Sequence, residues 1–350
     1  MTLPLKYSYA PMEALTVDEL PRGPQWQYEP KWDGFRCIAF KDGDRVELRS
    51  KAGRSLSRYF PELVDALATL KAKTFILDGE IVVPADDTLS FDALLQRIHP
   101  AKSRVQRLAA ETPASLVVFD ILADEHGTVV ATLPLKTRRP ILERFVNRFA
   151  RSRVAKESIR LSPVTDDIRT ARRWLSGRAG LDGVIAKDRE MPYPSGERTG
   201  MVKVKRIRTA DCVVGGFRYA SKGHVIGSLL LGLYDGNGLL HHVGFTSAFS
   251  AEERKALVPK LERLIKAPGF TGQAPGGPSR WSTKRSSEWE PLAPKLVVEV
   301  AYDHFSSDRF RHGTTLVRWR PDKAPRQCTI EQVELAGKSA MRILGMKRAA

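Results

Sequence analysis

Carboxylates embedded in apolar runs constrain this chain more than anything else in it. In Phe75-Ile76-Leu77-Asp78-Gly79-Glu80-Ile81-Val82-Val83 the flanking residues are apolar and often β-branched, as in a buried central strand. The two-residue period of a strand puts Asp78 and Glu80 on one face. Leu116–Leu122 repeats the theme with Phe119 and Asp120, and Leu181–Lys187 with Asp182 and Lys187. A charge inside such a run must be paired, bound to a metal or turned toward a cleft. Each carboxylate taken singly also reads as one half of an edge-strand salt bridge. Met201-Val202-Lys203-Val204-Lys205 places two ammonium groups on one face. They repel unless an anion lies between them or the strand is a solvated edge.

The segment Glu29-Pro30-Lys31-Trp32-Asp33-Gly34-Phe35-Arg36 sets a lysine beside an acid, a glycine and an arginine. Gly34 suits a tight turn and a close approach of backbone to ligand. Arg36 offers a fork that matches phosphate or ribose oxygens. Lys, Asp, Gly and Arg at these offsets should recur by chance roughly 0.002 times in a chain this long. The competing reading is a solvated lysine ahead of a hairpin.

A chain of 350 residues exceeds a usual single core, so two domains are expected. The net charge of +17, with a pI near 9.9, points to polyanions, nucleic acid ahead of an anionic membrane. Residues 1–205 carry 34 basic and 27 acidic side chains, whereas residues 206–350 carry 23 and 13. The excess is therefore denser in the second half. Cys37, Cys212 and Cys328 lie far apart and form no zinc or disulfide pattern, which fits a reducing cytoplasm. No signal core or membrane-length apolar run is present, so a soluble intracellular protein is expected.

The first half mixes strands and helices. Short strands are expected at 25–28, 37–40 and 45–50, longer ones at 75–83 and 116–122, and further ones at 181–187 and 201–205. Helical spacing marks 60–70, 92–98, 140–150 and 167–175. From 210 the texture changes to short strands with Gly-rich turns, at 212–217, 228–234 and 239–245. Asp235-Gly236-Asn237-Gly238 is a hairpin signal. A helix over 251–266, a Pro/Gly-rich loop over 267–279 and strands at 295–302 and 315–320 complete the chain. Short strands around one helix suggest a small barrel of the oligonucleotide-binding (OB) type. The fold expected is an α+β domain with mixed and antiparallel sheets over 1–205, followed by an all-β OB domain over 206–350.

Taken in order, these segments resemble the covalent nucleotidyltransferases: ATP-dependent DNA ligases, RNA ligases and capping guanylyltransferases. Lys31 to Arg36 matches the KxDGxR nucleotidyl-lysine motif. Leu77-Asp78-Gly79-Glu80, Phe119-Asp120, Asp182–Lys187 and Lys203-Val204-Lys205 match the motifs that follow it. Arg318-Trp319-Arg320-Pro321-Asp322-Lys323 matches the RxDK element of the C-terminal OB domain. Within the group, Lys31-Trp32-Asp33-Gly34-Phe35-Arg36 and the short N-terminus look most like the compact bacterial C-type ATP-dependent DNA ligases.

The resemblance implies three steps on nicked duplex DNA. Lys31 attacks the α-phosphate of ATP and releases pyrophosphate, AMP passes to the 5′-phosphate at the nick, and the 3′-hydroxyl displaces AMP. An amine is nucleophilic only when neutral, so nearby cations, Lys203, Lys205 and Mg²⁺ or Mn²⁺, should lower the pKa of Lys31. The resemblance further implies that Glu29 helps recognise adenine, Arg36 contacts ribose and Phe119 stacks on the base. Lys203 and Lys205 would bind the α-phosphate, with Arg198 a further phosphate contact. Glu80 would bind ribose or metal, and Asp182 a metal. Arg320, Asp322 and Lys323 would orient pyrophosphate, Asp322 with the metal. Asp182 stands where many ligases have Glu, and Lys51 where many have Arg, so Lys51 and Arg54 are alternative DNA contacts. The implied setting is DNA repair or recombination, in a cytoplasmic, nucleoid-associated monomer working with other repair proteins. Residues 84–115 and 267–290 are poorly patterned and could serve as DNA-encircling loops. An RNA ligase or a GTP-using capping enzyme is the alternative within this chemistry. A non-catalytic nucleic-acid-binding protein is the alternative outside it.

Overall fold

The structure is a computed structural model that describes residues 3–85, 88–176, 181–276, 288–306, 308–311, 313–333 and 338–346. The chain forms two compact units, Met1–Arg206 with Ala336–Ala350, and Ile207–Leu335.

Two sheets build the first unit. One orders the strands Arg45–Ser50, Phe35–Asp42, Thr74–Val82, Ser115–Ala123 and Ile159–Leu161; the last pair is parallel, the others antiparallel. The other orders Leu15–Thr16, Met201–Lys205, Gly183–Asp188 and Trp26–Lys31. Alternation decides what each face meets. Cys37, Ala39, Phe75, Leu77 and Ile121 join a core covered by the helices Pro61–Ala68, Leu135–Phe149 and Arg153–Ser158. Their neighbours Ile38, Phe40, Ile76 and Leu122 turn to the opposite face, where they meet Met201 and Ile185 of the second sheet. The helix Ile168–Leu175 covers the far side of that second sheet. The cleft anticipated for the embedded carboxylates lies between the two sheets.

Several expectations on this unit are corrected. Residues 84–115 contain a short hairpin at Pro84–Ala85 and Thr88–Leu89 and the helices Phe91–Gln96 and Lys102–Glu111. Arg97 anchors the segment: it is fully buried, its guanidinium donates to both Glu62 carboxylate oxygens at 2.6 and 2.7 Å, and it also bonds the carbonyls of Tyr59 and Thr112. A segment held this way is not a free DNA-encircling loop. The helix expected from Pro140 starts five residues earlier, at Leu135, and carries Pro140 inside it. The strand Ile159–Leu161 and the C-terminal helix Lys338–Ile343 escaped the sequence reading.

Among the described residues, five strands of the second unit build a barrel, and the short strand Glu290–Pro291 adds to the edge of its first strand. Arg208–Tyr219, Ile226–Tyr234 and Leu240–Thr246 form a meander, the helix Ala251–Glu262 follows, and Val297–Tyr302 and Thr315–Trp319 return. Val297–Tyr302 pairs with the first strand and Thr315–Trp319 with Val297–Tyr302. A parallel bridge from Thr246 to Thr314 closes the ring. That strand order, with a helix between the third and fourth strands, is an OB barrel. Asp235 shapes the second hairpin by accepting from the backbone N–H groups of Asn237 and Leu239. Ser250 and Glu253 form a reciprocal capping box on the helix, which ends at Glu262 rather than 266. Residues 277–287 of the second loop candidate lie outside the described residues.

Candidate active site

A pocket between the two sheets of the first unit gathers half of the candidate site residues, Glu29, Lys31, Arg36, Lys51, Glu80, Phe119 and Lys203, together with Lys187. Strand register explains the convergence. Glu29 pairs with Ile185 and Ile185 with Lys203, so the three form a row across three strands. From the facing sheet, Arg36 pairs with Glu80. Two glycines permit the close packing. A Cβ on Gly34 would lie 2.2 Å from the Ile81 carbonyl, so close approach, rather than the expected turn geometry, is what demands glycine there. Gly183, opposite Lys31 in the register, has φ +156° and would place a Cβ 2.2 Å from the Val204 carbonyl.

Lys31 ends its strand and is ion-paired through Nζ to the Asp182 carboxylate, which is buried. Burial works against the Lys31 charge, but attraction from Asp182, Glu80 and Asp33 outweighs it and raises the pKa. This reverses the expectation that nearby cations depress it. The cations do act on Lys203, whose pKa is lowered by burial and then by Lys31, Lys205, Lys51 and Arg198. Burial pushes Glu80 up to about 7, opposed by Arg36 and Lys31 and reinforced by Asp33 and Asp78. Glu29 is buried and accepts from Lys187 Nζ and Gln27 Nε2, each at 3.0 Å. The Phe119 ring lies 4.4 Å from the Arg36 guanidinium and 4.6 Å from the Lys187 ammonium.

Arg36 grips both Asp78 oxygens at 2.6 Å, and Tyr193 donates its hydroxyl proton to the same carboxylate. The Tyr193 oxygen accepts from the Met12 backbone N–H at 2.9 Å. Sequence reading missed Tyr193 and the 11–14 segment, which also lines the pocket, because no local pattern marks them. It likewise missed the partner of Asp120, Arg138, which bonds both its oxygens at 2.8 and 2.9 Å.

At the rim, Glu13 pairs with Lys51 at 3.1 Å and Arg198 at 3.2 Å. Lys51 lines the pocket, whereas Arg54 and Lys205 are exposed and absent from its lining. Arg320, Asp322 and Lys323 belong to the second unit. There Asp211 accepts from Arg320 at 2.8 Å and faces Lys323 at 3.5 Å, while Asp322 pairs with Arg320 at 2.8 Å.

A lysine beside embedded acids, an aromatic wall and a cationic rim form a pocket able to bind a nucleotide and present an amine to its phosphates. Two family models match the chain, the ATP dependent DNA ligase domain over residues 11–205 and the ATP dependent DNA ligase C terminal region over residues 222–323. The chain belongs to the ATP-dependent DNA ligases. It is 44% identical to DNA ligase C of Mycobacterium tuberculosis over 351 residues, covering 95% of this chain and 96% of the relative. It is 43% identical to DNA ligase C2 of Mycolicibacterium smegmatis over 353 residues, with the same coverage. The ligase shares its fold with a solved Lig E DNA ligase at 16% identity, with a TM-score of 0.51, covering 88% of this chain and 100% of that one. It uses ATP and a divalent metal, and its reaction is nick sealing through an adenylate intermediate, the mechanism of the family. No helix among the described residues is long and apolar enough to cross a membrane.

Proposed function

We propose that Lys31 is the residue of this ligase that carries AMP. The observation that carries the reading is its position at the strand end of the pocket between the two sheets, with an acid partner, Asp182, and the cation Lys203 beside it. In this reading Glu29 and Lys187 meet the adenine edge and Phe119 its face. Arg36 meets the ribose, and Lys203, with Lys205 and Arg198, the phosphates. Arg320, Asp322 and Lys323 orient the leaving pyrophosphate.

The acids beside Lys31 fit a divalent metal. Carboxylate oxygens suit a hard cation, and Glu80 is a carboxylate that burial makes costly to ionise without a counter-charge. Glu80 and Asp182 would hold the ion, and Mg²⁺ or Mn²⁺ would supply charge neutralisation at the phosphates. The raised pKa of Lys31 adds a requirement. Asp182 must give up its hold on the ammonium before the amine can lose its proton and attack. Asp182 is thus both the ground-state partner of Lys31 and a metal candidate.

Nicked duplex DNA is the substrate in this reading, with Lys51 rather than Arg54 as the phosphate contact nearer the pocket. The protein acts as a monomer in the cytoplasm, associated with the nucleoid and with other repair proteins.

Incubation with α-labelled ATP and Mg²⁺ tests the central assignment. Wild type should take up label that stays with the denatured protein at neutral pH and is released by acid, as a P–N bond requires, and Lys31→Ala none. Label on Lys31→Ala, or none on wild type, overturns it. GTP in place of ATP, and RNA in place of DNA nicks, should fail as substrates.

A further inference from the structure

The last described residues of the chain belong to the transferase unit and not to the barrel that precedes them. The chain leaves the first unit at residue 207, builds the barrel, and returns with the helix Lys338–Ile343. There Ala340 and Leu344 are buried at 1% and 8% exposure in one apolar cluster with Trp32 and Phe119. Arg160 donates to the Leu344 carbonyl at 3.2 Å and fixes the end of the helix. Trp32 and Phe119 also line the nucleotide pocket, and Trp32 adjoins Lys31 in sequence. The Trp32 indole is held on another side by Ser162 Oγ at 3.0 Å.

We propose that the C-terminal helix is a positioning element of the nucleotide pocket, with Ala340 and Leu344 completing the apolar backing of Phe119 and Trp32. An aromatic ring presents a defined face to a base only if what packs around it fixes its rotamer. The helix supplies that packing to this wall from more than two hundred residues beyond Phe119 in sequence. Because the base is remote from the reacting phosphorus, stacking contributes equally to ground and transition states. Its loss therefore appears in KM and not in kcat. The inference rests on reading Phe119 as the base-stacking residue.

Enzyme adenylation measured against ATP concentration provides the test, using wild type, Leu344→Ala, Leu344→Met, Phe119→Ala and a chain ending at residue 335. Leu344→Ala should raise KM for ATP about threefold and the shortened chain about tenfold, with kcat within about twofold. Leu344→Met, which restores volume, should return KM to near wild type. Unchanged KM in Leu344→Ala, or a fall in kcat at constant KM, overturns the proposal by reducing the helix to general packing. Should the shortened chain fail to fold, the Leu344 pair decides alone. A raised KM in Phe119→Ala with an unaffected Leu344→Ala sinks the helix proposal only. The opposite result, a raised KM in Leu344→Ala with Phe119→Ala unaffected, removes the stacking role of Phe119 and with it the helix proposal.

Discussion

At the scale of single residues, the pocket is a set of charges held by specific partners. Glu29 is held by Lys187, Asp78 by Arg36 and Tyr193, Asp120 by Arg138 and Lys31 by Asp182. The acids were visible as misfits in apolar strands, but their partners were not, since pairing depends on register and on residues from 18 to 158 positions away. Tyr193 shows the consequence. Tyr193→Phe leaves the buried Asp78 carboxylate and the Met12 N–H each short of a partner, and should cost about 1–3 kcal/mol in denaturant unfolding. His242 makes a second prediction. Burial, with repulsion from Arg309 and Arg218, lowers its pKa from 6.5 to about 3 despite an opposing backbone hydrogen bond. Between those values the unfolded chain binds the proton that the folded one refuses, so stability is full above pH 6.5 and falls with pH below it. The loss should reach about 2 kcal/mol at pH 5, and His242→Phe should flatten that part of the profile.

At the scale of elements, patterns legible in sequence were those set by local chemistry. The long central strands, the Asp235 hairpin and the helix opened by Ser250 follow from alternation, turn chemistry and capping, and all three occur near their expected positions. In the segment 84–115 the helix expected at 92–98 occurs at Phe91–Gln96, but the packing of the segment is not legible because it is organised by a buried arginine, which composition counts as surface. Glycine roles were half legible. The Asp-Gly pairs were noticed, yet the reason for Gly34 and Gly183 is a carbonyl on a neighbouring strand. Gly183→Ala combines a disfavoured φ with a backbone clash, and should destabilise the first unit by more than about 2 kcal/mol in thermal unfolding. A neutral result would mean that the strands Gly183–Asp188 and Met201–Lys205 can separate at little cost.

At the scale of the whole molecule, charge governs encounter with DNA. The excess of basic over acidic side chains, ten in the second half of the chain, concentrates a polyanion near the ligase. Binding to a nicked duplex should weaken at least about tenfold between 50 and 200 mM salt, as two phosphate contacts would give. Affinity independent of salt in a titration would remove the electrostatic account.

The sequence by itself determined the chemistry: the ordered acids, the lysines and the KxDGxR segment specify which side chains a nucleotidyl transfer needs, and alternation specifies that they share sheet faces. Tertiary structure alone decided the protonation balance of Lys31, because that depends on which charges surround it once the chain is folded, and the acids Asp182, Glu80 and Asp33 outweigh its burial. It also decided that the transferase unit includes residues from beyond the barrel, since an apolar helix face does not state which distant surface it will cover.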